Sequence, residues 1–98
     1  MVVPGKNLEF EELPEFRRRC SPVGGLREEV IAQLQNRPRS ALPVAGPVWT
    51  IDIVHLERAY AVYFGRRRNS IGLTAIFALP AETAQRLDYE HELQKRYR

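Results

Sequence analysis

The chain has one cysteine, Cys20, in 98 residues. A lone thiol closes no internal disulfide and completes no four-cysteine zinc site. The two histidines, His55 and His91, lie far apart in sequence, and only Cys20 could join them as a soft ligand. No metal is therefore expected. As a nucleophile Cys20 would need a nearby base, so a buried, idle thiol is the simpler expectation. A Gly-rich phosphate loop, a His-x-x-x-His pair and a Gly-x-Ser-x-Gly elbow are all missing, and no cofactor is expected. No apolar run approaches the ~18 residues that cross a membrane. The opening Met-Val-Val-Pro-Gly-Lys-Asn has no signal-peptide centre. These absences predict a soluble, cytoplasmic protein with no membrane partner.

Lysine is scarce too: two, against thirteen arginines. Arginine presents a planar fork of donors that matches phosphate and carboxylate oxygens. The arginines cluster as Arg17 to Arg19, Arg66 to Arg68, and Arg96 with Arg98. The net charge is only +3, so a nucleic-acid partner is allowed rather than demanded. With 44% hydrophobic and 28% charged residues, residues 1–98 are expected to fold as one globular domain.

Residues 1–7 read as a loose start or a short edge strand. A strand or loop to about Leu13 precedes a short helix from Pro14 to Cys20, since proline suits only a first turn. After the break at Ser21-Pro22-Val23-Gly24-Gly25, Leu26, Val30 and Leu34 recur every four residues and predict a helix from Leu26 to Asn36. Residues 37–47 hold three prolines and a glycine and predict a connector without regular structure.

The pattern then changes to alternation. Trp49, Ile51 and Ile53 oppose Thr50 and Asp52 over Val48 to Val54, as in a half-buried strand. From Arg58 to Phe64, Tyr60, Val62 and Phe64 oppose Ala59, Ala61 and Tyr63. Residues 65–70 form a polar turn. From Ile71 to Leu79, strict alternation puts Ile71, Leu73, Ala75, Phe77 and Leu79 on one face and Ile76 on the other. Pro80 opens a last helix. On it Tyr89, Leu93 and Tyr97 share a stripe that serves as core packing or as a homodimer contact. The predicted fold is α+β: an N-terminal helical hairpin, a three-stranded antiparallel meander with an optional N-terminal edge strand, and a C-terminal helix.

One constellation carries chemistry: His55, Glu57, Arg58, Tyr60 and Tyr63, beside the arginine turn. Arg58 and Tyr60 lie two apart on a strand and so share a face. Histidine exchanges a proton near neutral pH, and arginine stabilises the charge that develops on a phosphate. Metal-independent RNA cleavage uses both abilities. The plainer alternative is a strand-end loop with a solvated histidine and a structural Glu57–Arg58 pair.

The stretch from Gly46 to Phe77 resembles the RelE/ParE superfamily of small bacterial toxins, particularly its HigB-like, phage-related branch. Gly46-Pro47-Val48-Trp49-Thr50-Ile51 is similar to that family's entry strand, and Glu57 to Phe64 to its second strand of arginine then aromatics. Ile71 to Phe77 is similar to its third strand, and Glu92 to Tyr97 to its closing basic–aromatic helix. Where the branch carries a lysine pair, this chain has Ala78-Leu79-Pro80-Ala81. The resemblance implies a toxin that cleaves messenger RNA without a cofactor, acts on RNA or the ribosome, and is held by an antitoxin protein. His55 would then handle a proton, Arg58 would hold the scissile phosphate and Tyr60 would stack on a base. Arg66, Arg67, Arg68 and Arg98 would bind RNA. The rival expectation is a protein-binding module without catalysis: a phage or mobile-element inhibitor, an immunity protein, or a ParE-like toxin with a protein target.

Overall fold

Alternating apolar residues in Val48–His55 and a continuous apolar run in Arg58–Arg66, covered on both faces, make a pair of long antiparallel strands, here β3 and β4. The computed structural model describes residues 9–98, so the loose start or edge strand expected over residues 1–7 lies outside the described residues. In chain order the elements are β1 (Glu9–Glu12), α1 (Pro14–Cys20), α2 (Leu26–Asn36), a 3-10 turn (Pro38–Ser40), β2 (Leu42–Ala45), β3, β4, β5 (Ser70–Leu79) and α3 (Thr83–Arg96). The fold is α+β, with three helices and one five-stranded mixed sheet of order β1-β5-β4-β3-β2.

Two strands join the expected meander, β1 where the sequence allowed a strand or loop before Leu13 and β2 where it predicted an irregular connector. β1 pairs with β5 in parallel, and β2 pairs with β3 in an antiparallel edge position. The strand β2 forms in a segment whose prolines predicted irregular structure. It does so because Pro43 sits on an edge strand, where a missing N–H costs no ladder bond on the outer side.

Helices cover both sheet faces. The α1–α2 hairpin buries Phe16, Leu26, Val30 and Leu34 against Ile51, Ile53, Tyr60, Val62 and Phe64. On the opposite face α3 sets Leu93 and Tyr89 over Ala61, Tyr63, Ala75 and Phe77. Fully burying such side chains is worth ~1.5–3 kcal/mol each.

The strand β5 departs from strict alternation. Tyr63 pairs with Ala75 and Phe64 with Leu73, so Thr74 has no partner residue and forms a bulge. Ile71 and Leu73 therefore face the helical hairpin, whereas Ala75 and Phe77 face α3. This corrects the single face expected for Ile71 to Leu79. The Thr74 hydroxyl donates to the Tyr63 carbonyl at 3.1 Å and accepts from the Tyr89 hydroxyl at 3.0 Å, which ties the bulge to α3.

The helix α3 starts at Thr83 instead of Pro80. Residues 80–82 close a turn in which the Glu82 N–H donates to the Ala78 carbonyl and the Glu82 carboxylate accepts from the Ala78 N–H, both at 2.8 Å. Among the described residues no helix is long and apolar enough to cross a membrane.

Candidate functional site

At one end of the β3–β4 pair, His55 lies opposite Arg58 across a two-residue turn. Leu56 and Glu57 occupy it with φ of 50° and 64°. Two successive positive φ values define a type I′ hairpin, whose twist matches the strands. Neither residue is glycine, so the turn is held against its own steric cost.

His55 is committed to the fold. Its Nε2 donates to the Gly24 carbonyl at 2.8 Å, linking β3 to the α1–α2 loop. A carbonyl only accepts, so Nε2 carries a proton and Nδ1 is left as the free nitrogen. Tyr60 is only 6% exposed and packs in the core beneath α1 and α2. This corrects its expected role: no ring face is open for a base to stack on. Arg58 is exposed and makes no ion pair with Glu57. It lines a recess of about 240 Å³ with Arg19, Tyr60, Ile76 and Glu82. So Arg58 and Tyr60 meet, but the three residues form no open catalytic surface.

Arg19, in the same recess, is occupied. It donates to Glu82 at 2.8 Å and to the Ile76 carbonyl at 3.4 Å, and lies over the Phe77 ring, 5.4 Å from its centroid. It thereby caps the edge of β5 beyond the end of β1. The Glu82 hydrogen bond holds the Arg19 pKa up. The Ala78 N–H, and then Arg19, hold the Glu82 carboxyl below its ordinary value.

The second group of expected residues lies elsewhere. Arg58 and Arg66 are the two ends of β4, eight residues apart, which is about 26 Å at a strand's rise. Arg66, Arg67 and Arg68 therefore cannot share one nucleotide with His55. Arg66 instead lies over Trp49, 5.3 Å from its ring centroid, and its N–H donates to the Pro47 carbonyl at 3.1 Å.

Other arginines gather at this far end. The 3-10 turn brings Pro38 against Phe64, Arg66 and Ile71, so Arg37 and Arg39 flank it. The Tyr97 ring lies over Gly46 so closely that an added Cβ there would meet it at 2.6 Å. Gly46 also has φ of 52°, a second reason for glycine at this turn. Arg96 and Arg98 flank Tyr97 in sequence and end the chain beside the β2–β3 turn.

The ion pairs sort the arginines. Arg17, Arg18, Arg19, Arg27 and Arg86 each pair with an acid. Arg27 donates at 2.6 Å to Glu12, whose side chain is 2% exposed. Arg37, Arg39, Arg66, Arg67, Arg68, Arg96 and Arg98 make no ion pair among the described residues. All seven belong to the Trp49 end. The sequence shows the runs but not this segregation. A usable signal was present: Arg18 and Arg19 follow Glu15 at helical spacing, whereas Arg66 to Arg68 have no acid within seven residues in sequence.

A groove of about 320 Å³ opens at the same end on the α3 face, lined by Glu11, Leu13, Pro47, Gly65, Arg66, Arg67, Ser70, Gly72 and Tyr97. Gly65 and Gly72 are register partners, and a Cβ added to either would meet nothing within 4 Å.

Two further groups are structural. Tyr63 donates to Glu90 and accepts from Arg86 Nε at 3.0 Å, fastening α3 to the sheet. Burial, then the Glu90 hydrogen bond, pushes the Tyr63 hydroxyl up to about 12. Burial likewise raises the Cys20 thiol to about 11, which leaves little thiolate near neutral pH. Among the described residues no three metal-ligating side chains gather. No family model, curated protein or solved structure matches the chain.

Proposed function

We propose that this protein is a RelE-like RNA-directed toxin that grips messenger RNA through its arginine end. The observation that carries the reading is the collection of seven arginines without ion-pair partners among the described residues at one end of the sheet. Unpaired guanidinium groups keep their full charge for phosphates, whose binding releases counterions. Trp49 under Arg66 adds a rigid aromatic support. The element order, with its helical hairpin ahead of antiparallel strands and a closing helix, supports the resemblance.

Chemistry at the His55 end has less support. Tyr60 is buried, and His55 is engaged with Gly24. In this reading Arg66, Arg67, Arg68 and Arg98 bind the RNA backbone. Arg58 stands at the other end, in the recess it shares with Arg19 and Glu82. An antitoxin partner would neutralise the arginine end with an acidic segment.

The test is tightly induced expression in bacteria, with growth and total RNA followed together. Arrest accompanied by loss or cleavage of messenger RNA, relieved by Arg66→Ala/Arg67→Ala/Arg68→Ala, is expected. Arrest with intact RNA would overturn the RNA target.

The rival is a non-catalytic protein-binding module. Leu56 and Val54, 75% and 67% exposed beside unpaired Arg58, are the observation in its favour. Harmless expression of soluble protein that binds no RNA would select it.

A further inference from the structure

The groove on the α3 face has an unusual floor. Side chains normally tile a sheet face, yet here two directly opposed strand positions, Gly65 and Gly72, carry none. Alternation puts both on the α3 side: their neighbours Phe64, Ile71 and Leu73 point into the helical-hairpin core. The space above them is open, because α3 ends at Arg96 and only Tyr97 reaches the rim. The backbone is thus exposed as a flat platform. Glycine weakens a strand interior and often marks a bulge, such as the one at Thr74, or a place where a ligand or another backbone comes close.

The walls show what would approach. On β1, Phe10 packs into the hairpin core, so Glu11 points to the opposite, groove side. Its register partner on β5 is Gly72, which places the Glu11 carboxylate beside the platform. Glu11 makes no ion pair among the described residues. At the end of the groove stand Arg67 and Ser70, while the Arg66 side chain, stacked on Trp49, projects to the opposite face, and Tyr97 forms the other wall. A flat floor, an aromatic wall, an acceptor on one side and a cation at one end match a nucleotide. The ring lies on the glycines, its edge meets Glu11, and its phosphate meets Arg67.

The acceptor selects the base. A carboxylate only accepts hydrogen bonds, and two oxygens accept best from two adjacent donors. Among the four bases only guanine offers a ring N–H next to an amino group on its pairing edge. Adenine and cytosine put an acceptor beside their amino group, and uracil flanks its single N–H with two carbonyls.

We propose that the groove between Glu11, the Gly65–Gly72 floor and Tyr97 binds a guanine nucleotide of single-stranded RNA, with Glu11 reading the base. The proposal rests on the RNA-binding reading above and adds base selection to it. Glu11 is a specificity residue here; the arginines supply the affinity that all sequences share.

The test compares a uridine 11-mer with the same RNA carrying one central guanosine, by fluorescence anisotropy with the intact protein. A bidentate base contact predicts about tenfold tighter binding of the guanosine RNA. Glu11→Gln should abolish that preference. Gly72→Val, which fills the platform at a position of ordinary backbone, should abolish it as well while retaining the native melting transition. Equal binding of both RNAs to the unaltered protein, or a preference that survives both substitutions, overturns the proposal.

The two hypotheses fail separately. If neither RNA binds, the RNA reading falls, and titration with guanosine and uridine monophosphates decides the site. Guanosine monophosphate should shift the Gly65 and Gly72 amide resonances in wild type and not in Gly72→Val. No shift, or equal shifts with uridine monophosphate, contradicts a guanine site. Response to the free nucleotide without discrimination between the RNAs would make the ligand a soluble guanine nucleotide and refute the RNA source.

Discussion

The two ends of the β3–β4 pair are built from similar residues and do different work. At the hairpin end Arg19, Tyr60 and His55 are engaged by the fold, while Arg58 stays exposed. Arg19 caps a strand edge and pairs with Glu82, Tyr60 fills the core, and His55 bonds to the α1–α2 loop. At the other end seven arginines have no ion-pair partner among the described residues, and the sheet face beside them is stripped to backbone at Gly65 and Gly72. A side chain already satisfied by the protein has little left to offer a ligand. Residue type therefore nominates a site, and partner accounting decides it.

Substitutions should separate the two ends, and the largest effect falls on stability at the hairpin end. Tyr60→Ala is expected to cost about 3–5 kcal/mol in urea unfolding, the range for a buried aromatic. The protein that remains folded should bind RNA as wild type does. An RNA defect in the folded fraction would restore Tyr60 as a contact residue.

The next effect belongs to the arginine end. Arg66→Ala/Arg67→Ala/Arg68→Ala should weaken binding of single-stranded RNA by about tenfold or more near 0.1 M salt, since phosphate contacts dominate affinity. Its melting temperature should stay close to wild type, because Arg66 stacks on Trp49 and none of the three side chains makes an ion pair among the described residues.

Two pH effects sharpen the structural side. The Glu82 carboxyl is held low in the folded state. It contributes stability that is present above its unfolded value and lost as pH falls through the folded one. Acid unfolding should therefore show a contribution below about pH 4 that Glu82→Gln lacks, read by circular dichroism. Tyr63 behaves oppositely, its hydroxyl raised from 10.0 to about 12. Its stabilisation is complete below pH 10 and is lost as pH rises toward 12, so alkaline unfolding should start in that window. In Tyr63→Phe this alkaline loss should be absent, on a lower plateau.

The smallest effects test the hairpin tip. Replacing Leu56-Glu57 by Asn-Gly should stabilise by about 1 kcal/mol, because these residues accept positive φ. Arg58→Ala should change stability by less than about 0.5 kcal/mol, as for an exposed residue without partners. It should change RNA affinity far less than the arginine triple.

Much of the fold was legible. Pro14 and the Leu26, Val30, Leu34 spacing gave both hairpin helices their bounds, and alternation located β3 and β4. Two features were hidden because they depend on partners distant in sequence. The Thr74 bulge is invisible in a strand whose apolar pattern continues past it, and it reverses the face of Ala75 and Phe77. The strand β2 is edge pairing imposed by β3 on a proline-containing segment. The spacing of Arg58 and Tyr60 does bring them to one recess, but alternation alone could not show that α1 and α2 would bury that face. The opposed glycines were also out of reach, since Gly65 and Gly72 become neighbours only through the β4–β5 register.

The most direct test of the division between the two ends is the salt dependence of single-stranded RNA binding. Wild type, the Arg66–Arg68 alanine triple and Arg58→Ala would be compared from 50 to 300 mM salt. Three lost phosphate contacts predict a log–log slope shallower by about 2 for the triple and less than 1 for Arg58→Ala. Equal slopes for wild type and the triple, with a shallower slope for Arg58→Ala, would contradict the account and return the RNA surface to the hairpin end.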